Sequence, residues 1–254
     1  MLVVLWVLLG VIGAAVAFVI LWILFAQICG WLLVNPKKTY KERSKFCAFL
    51  YEASLVTVLR GLRVKVHLEG QEKVPQEGKF LLISNHISNF DALATVQAFR
   101  KYKLGAISKE SNFKVPFFGR LIRRCNYYPI DRENVRNAAK TINLAAEVIK
   151  SNEASLLVYP EGTRNKEATG LLPFHNVVFK IAQRAAAPIV VMTARGTEKV
   201  KKRVPFRRSH VYLKVLDVIS AEEAAAMKTD AIGDKIREMM LQDEQEFLAK
   251  QEAK

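Results

Sequence analysis

Two side chains that can move protons, His86 and Asp91, stand five residues apart in the segment SNHISNFD, residues 84–91. The apolar run at 80–83 before this segment is typical of a buried strand, and the apolar run at 92–99 after it is typical of a helix. The pair therefore lies on a strand-to-helix connection, where α/β folds carry their chemistry. A carboxylate that keeps one ring nitrogen protonated leaves the other free to accept a proton. We predict that His86 is a general base oriented by Asp91.

The spacing alone is also compatible with a purely structural pair. In a chain with four histidines, a chance His-x4-Asp arises at a rate of roughly one in ten, so the motif is weak by itself. In this alternative, His86 caps the helix and Asp91 occupies its first turn, where a carboxylate is favourable. The choice between a catalytic and a structural pair therefore depends on polar clusters elsewhere in the chain.

Composition and charge limit the class of protein. The chain has 254 residues, enough for one α/β domain and an extra segment, and its 39 Lys and Arg against 24 Asp and Glu give a formal charge of +15. This excess indicates an anionic partner, either nucleic acid, an anionic membrane surface or a phosphorylated substrate. The net charge is the one feature that suggests nucleic acid. A nucleic-acid-binding sheet would interleave basic and aromatic residues along its surface, and this pattern is absent from the sequence. The three cysteines have no metal or redox spacing, so a reducing compartment and no metal or cofactor are expected.

Residues 1–34 are predicted to be a transmembrane or membrane-embedded anchor. They contain no charged residue and, at about 1.5 Å per residue, exceed the roughly 30 Å hydrocarbon core of a bilayer. The alternative, a signal peptide, needs a basic start, a shorter apolar core and a small-residue cleavage site. The excess length leaves open whether the segment spans or re-enters the bilayer. Lys and Arg residues at 37–45 then place the rest of the chain on the cytoplasmic side by the positive-inside rule.

The remainder of the chain is predicted to form one α/β domain with flanking helices. Residues 35–61 are predicted to form an amphipathic interfacial connector, with an ordinary core-facing helix as the alternative. Strict alternation at 62–69 predicts a strand with one wet face. Apolar runs then alternate with helical patterns, which predicts a mostly parallel sheet flanked by helices over residues 62–220. Residues 221–254 are predicted to form a C-terminal amphipathic helix whose apolar stripe packs on the core.

One polar cluster, PEGTR at 160–164, follows an apolar run that is typical of a strand. Gly162 permits a tight turn and close approach of the backbone, Thr163 offers a hydroxyl and an amide, and Arg164 offers a planar fork for two phosphate oxygens. These are the groups that bind a phosphate.

Two more polar clusters follow other predicted strands. Arg132 comes just after the apolar run at 127–130, and Lys109 flanks a third connection. Loops that leave parallel strands gather at one edge of a sheet, so these cations are expected near His86. Taken singly, each loop could be an ordinary solvated connection; taken together, the clusters predict a phosphate-binding edge.

Four ordered blocks make the chain similar to the glycerophosphate acyltransferase superfamily, most closely to the PlsC-like 1-acylglycerol-3-phosphate acyltransferases. The resemblance covers about residues 62–195 and departs mildly from the family pattern at Asn126, Pro129 and Tyr159, where Gly, Phe and Phe are common. The blocks are NHISNFD at 85–91, YPIDR at 128–132, YPEGTR at 159–164 and APIVV at 187–191.

The resemblance implies an acyltransferase catalytic domain at 62–220 and a reaction in phospholipid biosynthesis. A fatty acyl group would pass from acyl-CoA or acyl carrier protein, as co-substrate, to the sn-2 hydroxyl of lysophosphatidic acid, giving phosphatidic acid at a phospholipid membrane. His86 and Asp91 would be catalytic. The acceptor phosphate would be bound by Arg132, Glu161, Gly162, Thr163, Arg164 and Lys109, with Glu161 orienting Arg164 or contacting the glycerol backbone. Backbone amides near 85–88, or a water, would stabilise the oxyanion.

Several alternatives stay open from the sequence. Another lysophospholipid or glycerol-3-phosphate could use the same base and phosphate clamp, and a non-enzymatic membrane adaptor would need neither. Ser84 or Ser88 could act as a nucleophile, although no Gly-x-Ser-x-Gly elbow is present. The basic stretch at 197–208 could dock on anionic lipid or hold an acidic acyl carrier protein, or could be a plain solvated loop.

Overall fold

The computed structural model describes residues 2–252 except 117, 132, 168, 169 and 205. Its first element, α1 (Leu2–Leu33), is continuous because nothing in this apolar stretch breaks a helix. Within the described residues, α1 alone is long and apolar enough to cross a membrane, a property that signal sequences share. Helix α2 (Lys45–Gly61) follows, with the Ser44 hydroxyl capping its first turn.

The centre of the fold is a seven-stranded sheet in the order β1-β7-β6-β2-β5-β3-β4. All neighbouring strands run parallel except β6 and β7, which are antiparallel. The predicted mostly parallel α/β fold is therefore confirmed. The strands are β1 (Val64–Glu69), β2 (Leu81–Ser84), β3 (Gly105–Lys109), β4 (Tyr127–Ile130), β5 (Leu156–Val158), β6 (Ile189–Arg195) and β7 (Ser209–Ile219).

Helices cover both faces of the sheet. In β2, Leu82 packs with α2 and α3 on one face, whereas Leu81 and Ile83 pack with α4, α5 and α8 on the other. This two-sided burial explains why β2 reads as a continuous apolar run and not as an alternating one. The helices after α2 are α3 (Asn89–Ala98), α4 (Val135–Lys150), α5 (Lys180–Ala185), α6 (Val200–Arg203), α7 (Ala221–Ala226) and α8 (Thr229–Glu252).

The C-terminal tail differs from the single helix predicted for it. Met227 has an extended backbone, so the tail divides into α7 and α8. Ile232 and Ile236 on α8 are fully buried, as expected for a stripe that packs on the core. One polar residue of α8 is buried as well: Asp243 accepts hydrogen bonds from Thr193 on β6 and Lys214 on β7, at 2.8 and 2.6 Å. This carboxylate fixes α8 against the sheet.

Helix α2 serves as a link between α1 and the sheet. Its buried face includes Leu50, Tyr51 and Leu55, whereas Phe46 and Phe49 are exposed. The outer side of α2 receives α1, where the Trp22 indole donates to the Ser54 hydroxyl at 2.9 Å.

Candidate active site

The connection after β2 brings His86 and Asp91 into direct contact. His86 Nδ1 lies 2.8 Å from Asp91 Oδ2, and the same oxygen accepts the backbone N–H groups of Ile87 and Ser88, each at 2.7 Å. Ser88, and not His86, is the N-cap of α3, with Asp91 as the third residue of a capping box. One carboxylate thus caps the helix, as the structural interpretation expected, and also holds the imidazole; the catalytic role of the pair stays a prediction.

Asp91 has a further partner that the sequence did not reveal. Thr197, 106 residues away, follows β6 and donates its hydroxyl to Asp91 Oδ1. Both side chains are completely buried. Because Oδ1 is held by Thr197 and Oδ2 by two backbone amides, the carboxylate cannot turn away from His86 without breaking several hydrogen bonds. Thr197, Asp91 and His86 form a chain that fixes the imidazole from behind.

The imidazole of His86 lies flat on the ring of Tyr159, which follows β5. The ring centroids are 4.1 Å apart and the planes are inclined by 14°. Burial raises the pKa of the Tyr159 phenol well above its ordinary value; Asp91 adds to the rise, and the Thr95 hydroxyl opposes it. The geometry between the Tyr159 and Thr95 hydroxyls falls short of an ordinary hydrogen bond. Tyr159 is therefore a neutral platform that sets the plane of the imidazole.

Glu161 has different partners from those expected. Its two carboxylate oxygens accept the backbone N–H groups of His86, at 2.8 Å, and of Leu172, at 3.0 Å. Burial raises the pKa of Glu161, and the hydrogen bonds from these two amides oppose the rise. In the same loop, the Asn165 N–H donates to the His86 carbonyl at 2.7 Å. Glu161 thus holds the His86 backbone in place, and within the described residues it makes no hydrogen bond or ion pair with Arg164.

Asn85 ties the same connection to the neighbouring strand. Its side-chain amide donates to the Ala194 carbonyl at 3.1 Å and accepts the Ala194 N–H at 2.7 Å, so it imitates a strand backbone beside β6. The sequence placed Asn85 in the motif but predicted no such role. The His86 backbone is consequently fixed from two sides, by β6 and by the loop after β5.

The predicted oxyanion donors near 85–88 are already engaged. The N–H groups of His86, Ile87 and Ser88 donate to Glu161 or Asp91. A buried amide that serves a carboxylate is not free for a developing oxyanion. This part of the prediction is wrong for these three amides, since the fold uses them to position the carboxylates.

The predicted phosphate-binding residues that the structure describes lie at the same sheet edge. Gly162 has φ +68°, the left-handed turn that brings Thr163 and Arg164 out of the loop after β5. Thr163 and Arg164 are exposed, and within the described residues their side chains make no hydrogen bond or ion pair. Lys109 is exposed at the end of β3, next to β4. Arg132 lies outside the described residues.

In the part of the chain that the structure describes, no three His, Cys, Asp or Glu side chains come together as a metal site would require. The arrangement offers a general base with its carboxylate and, beside it, a cationic loop.

The chain is similar in sequence to a known protein family and to several curated proteins. The family model described as Acyltransferase matches residues 65–195, more than half of the chain. The 1-acyl-sn-glycerol-3-phosphate acyltransferase of Saccharomyces cerevisiae is 30% identical over 191 residues, which cover 74% of this chain and 61% of that protein. The protein of the same name from Haemophilus influenzae is 30% identical over 161 residues, covering 63% of this chain and 65% of that one. The chain thus spans about six tenths of the length of the curated relatives it matches.

A solved structure has the same fold. The crystal structure of the 1-acyl-sn-glycerophosphate (LPA) acyltransferase PlsC from Thermotoga maritima superposes with a TM-score of 0.64. The sequences are 19% identical, and the match covers 94% of this chain and 93% of that one. With the family model matched across β1 to β6, including the segment from His86 to Arg164, the chain belongs to the acyltransferase family.

Proposed function

We propose that this protein transfers a fatty acyl group from an acyl thioester, acyl-CoA or acyl carrier protein, to the sn-2 hydroxyl of lysophosphatidic acid, giving phosphatidic acid. The observation that carries the proposal is the 2.8 Å contact between His86 Nδ1 and Asp91, at the sheet edge that also presents Arg164. The names of the matched relatives support the choice of lysophosphatidic acid as acceptor.

The base in this reaction is His86. With Nδ1 facing Asp91, Nε2 is the nitrogen that accepts the proton of the acceptor hydroxyl as its oxygen attacks the thioester carbonyl. A carbon–oxygen bond forms, the carbon–sulfur bond breaks, and the proton passes from Nε2 to the departing thiolate. General base catalysis of this kind contributes about 10² to 10⁴ in rate. No covalent enzyme intermediate is required, so neither Ser84 nor Ser88 has a role as nucleophile.

The acceptor phosphate is bound by the cations beside the base. Arg164 supplies a bidentate fork, Thr163 a hydroxyl and an amide, and the turn at Gly162 lets the backbone approach the phosphate. Lys109 and Arg132 complete the set from the neighbouring strands. Glu161 acts in this scheme by holding the His86 backbone rather than by touching phosphate, because both its oxygens already accept amides.

The proposal also places the protein at a phospholipid membrane. Helix α1 anchors the protein in a phospholipid membrane, where the lysolipid acceptor resides, and the cations at 37–45 keep the α/β domain on the cytoplasmic side. The exposed Phe46 and Phe49 on α2 extend the apolar surface of α1 toward the domain.

The proposal is tested by His86→Ala in the full chain, purified in detergent. We expect loss of lysophosphatidic acid acylation by about 10² to 10⁴. His175→Ala is the matched control, because His175 is exposed and its side chain caps nothing. Glycerol-3-phosphate and other lysophospholipids, each with acyl-CoA and with acyl carrier protein, complete the panel. Full activity of His86→Ala would remove His86 as the base and contradict the proposed mechanism. No acylation by the wild type with any acceptor would contradict the proposed function and favour a membrane adaptor.

A further inference from the structure

A strongly basic segment joins β6 to β7, and we call residues 199–208 the basic segment; residue 205 lies outside the described part. Within the described residues its cations make one ion pair, from Lys199 to Glu198 at the limiting distance of 4.0 Å. Such an unbalanced patch indicates an anionic partner. The exposed cations are Lys199, Lys201, Lys202, Arg203, Arg207 and Arg208.

An aromatic side chain projects from the middle of these charges. Phe206 is 84% exposed, although its backbone is held: its carbonyl accepts a hydrogen bond from the Arg63 guanidinium at 3.1 Å. Arg207 N–H donates to the Arg203 carbonyl at 2.8 Å, and Val200 is buried beneath the segment. The ring therefore points into solvent from a fixed base. An exposed phenylalanine amid cations is a combination that lipid headgroup regions attract.

The basic segment lies at the catalytic edge of the sheet. It leaves the end of β6, whose neighbour β2 runs parallel and ends just before His86. It enters β7 at the same edge, because Arg195 at the end of β6 pairs with Tyr212 near the start of β7. Two residues before the segment begins, Thr197 donates to Asp91.

The adjacent end of the sheet adds positive charge. Lys65 on β1 is exposed. His67, on the same strand, stacks on Tyr212, and its Nε2 lies 3.0 Å from His210 Nδ1. The pKa of His210 is lowered, first by desolvation, then by His67 and by the cations Lys65, Arg208 and Arg203. The local surroundings of His210 are thus electropositive.

Helix α1 points toward the same edge. Its C-terminal part lies near the entry to β4, because a side chain at Gly30 would contact Leu121, whereas Trp22 bonds Ser54 in the second half of α2. The chain advances roughly 12 to 15 Å toward the catalytic edge between Ser54 and the start of β1. The part of α1 that precedes Trp22 is longer, at about 30 Å. Residues 2–18 of α1 are exposed throughout. The free half of the anchor therefore extends past the edge that carries His86.

We propose that the basic segment is a second membrane contact, which binds an anionic lipid surface with its cations and inserts Phe206 among the headgroups. In the sheet order, β4 and β1 are the two outer strands, and β2 lies between them. The anchor and the basic segment together turn the catalytic edge, with His86, toward the bilayer. The inference rests on the membrane association proposed above and is independent of the acyl transfer step.

The observations favour a lipid surface over an acidic carrier protein as the partner. A carrier recognised by charge alone would not need an apolar ring held at the outermost point of the patch. A lipid surface accounts for the cations, for the exposed Phe206 and for the direction of α1.

The test uses an environment-sensitive fluorophore on Phe206→Cys in a Cys29→Ser background; the other two cysteines are buried. The full chain is placed in nanodiscs of phosphatidylcholine with or without phosphatidylglycerol. With phosphatidylglycerol we expect several-fold less quenching by aqueous iodide and new quenching by doxyl-labelled lipids. A label on Lys150→Cys, exposed at the end of α4 on the opposite edge, should respond to neither lipid.

Charge reversal supplies the matched comparison. Lys201→Glu with Lys202→Glu should abolish the lipid-dependent protection of the label at 206, whereas Lys101→Glu with Lys228→Glu, the same charge change at the opposite edge, should preserve it. Raising the salt concentration should weaken the protection. Equal iodide quenching in both lipids would overturn the inference, and so would protection that requires added acyl carrier protein. None of these readouts needs catalysis, so an inactive wild type would refute the proposed function alone.

Discussion

The proposed base and the proposed phosphate-binding loop share one sheet edge but are built in opposite ways. Asp91 is fully buried, with both oxygens engaged, and the His86 backbone is fixed by Glu161 and by Asn165. Arg164, by contrast, is exposed and makes no hydrogen bond or ion pair within the described residues. In the proposed mechanism, the base is therefore complete before substrate arrives, whereas the cationic loop acquires its partners from the ligand.

This difference has a physical reason. A proton must be taken at a defined distance and angle, so misplacing the imidazole is costly and a preorganised support is favoured. A phosphate offers several equivalent oxygens and a charge, which flexible cations can follow. Substitutions behind the base should therefore lower kcat, and substitutions in the cationic loop should raise KM.

The largest effect is expected for Asp91→Asn. The side-chain oxygen of asparagine is a weaker hydrogen-bond acceptor than a carboxylate oxygen. It therefore binds the N–H groups of Ile87 and Ser88 and the His86 ring less strongly, and the imidazole loses its orientation. We expect kcat to fall by about 10² to 10⁴. The measurement is steady-state acylation in detergent together with a thermal melt. Asp230→Asn, an exposed carboxylate in the first turn of α8, should leave kcat unchanged; an equal loss there would show that the effect is only one of helix stability.

The second effect lies in the other region. Arg164→Ala removes a charge-assisted hydrogen-bond donor from the proposed acceptor site, and such bonds contribute about 1.5–3 kcal/mol, or roughly 10- to 100-fold. We expect KM for lysophosphatidic acid to rise by about that factor, with kcat and the melting temperature nearly constant because Arg164 supports nothing in the fold. Arg164→Lys should recover part of the loss. Arg100→Ala, an exposed arginine before β3, is the control. A fall in kcat at unchanged KM would place Arg164 with the base.

The third effect tests Thr197 as a positioning residue. Thr197→Val leaves Asp91 Oδ1 without its donor in a fully buried site, which costs about 1–3 kcal/mol and loosens the carboxylate behind His86. We expect kcat to fall roughly tenfold at unchanged KM. Thr197→Ser keeps the hydroxyl and should retain kcat, although it removes a buried methyl group that Thr197→Val preserves. If the Ser variant loses activity and the Val variant does not, packing of the methyl group and not the hydrogen bond explains the loss.

Much of this fold follows from sequence patterns because those patterns are local. Apolar runs of strand length alternate with helical periodicity, and a mostly parallel sheet then brings His86 and the loop at 160–164 to one edge. The direction of β7 is not encoded in its apolar pattern. It runs antiparallel because the connection at 196–208 stays at the catalytic edge instead of crossing back over a sheet face.

The supports of the base were harder to predict because they depend on tertiary contacts. Thr197 lies 106 residues from Asp91 beside a run of cations that dominates the local sequence. Glu161 binds backbone amides, which every residue carries, so the motif cannot show whether its carboxylate meets amides, arginine or substrate. The contact of His86 with Asp91 can thus be predicted from the sequence, whereas the side chains that support it require coordinates.

The smallest effect is a pH dependence of stability that originates at Glu161. Burial raises the pKa of Glu161 from its ordinary value of 4.5, so between these two values the folded protein binds more protons at this site than the unfolded chain. The contribution of Glu161 to the free energy of unfolding should therefore decrease as pH rises through that interval and stay constant above it. Glu161→Gln cannot titrate, so the stability of the wild type minus that of the variant should decline with pH and then level off. Denaturant titrations in detergent at a series of pH values measure this difference. A difference that grows with pH would mean that the hydrogen bonds from the two backbone amides outweigh burial and that Glu161 is held as a carboxylate.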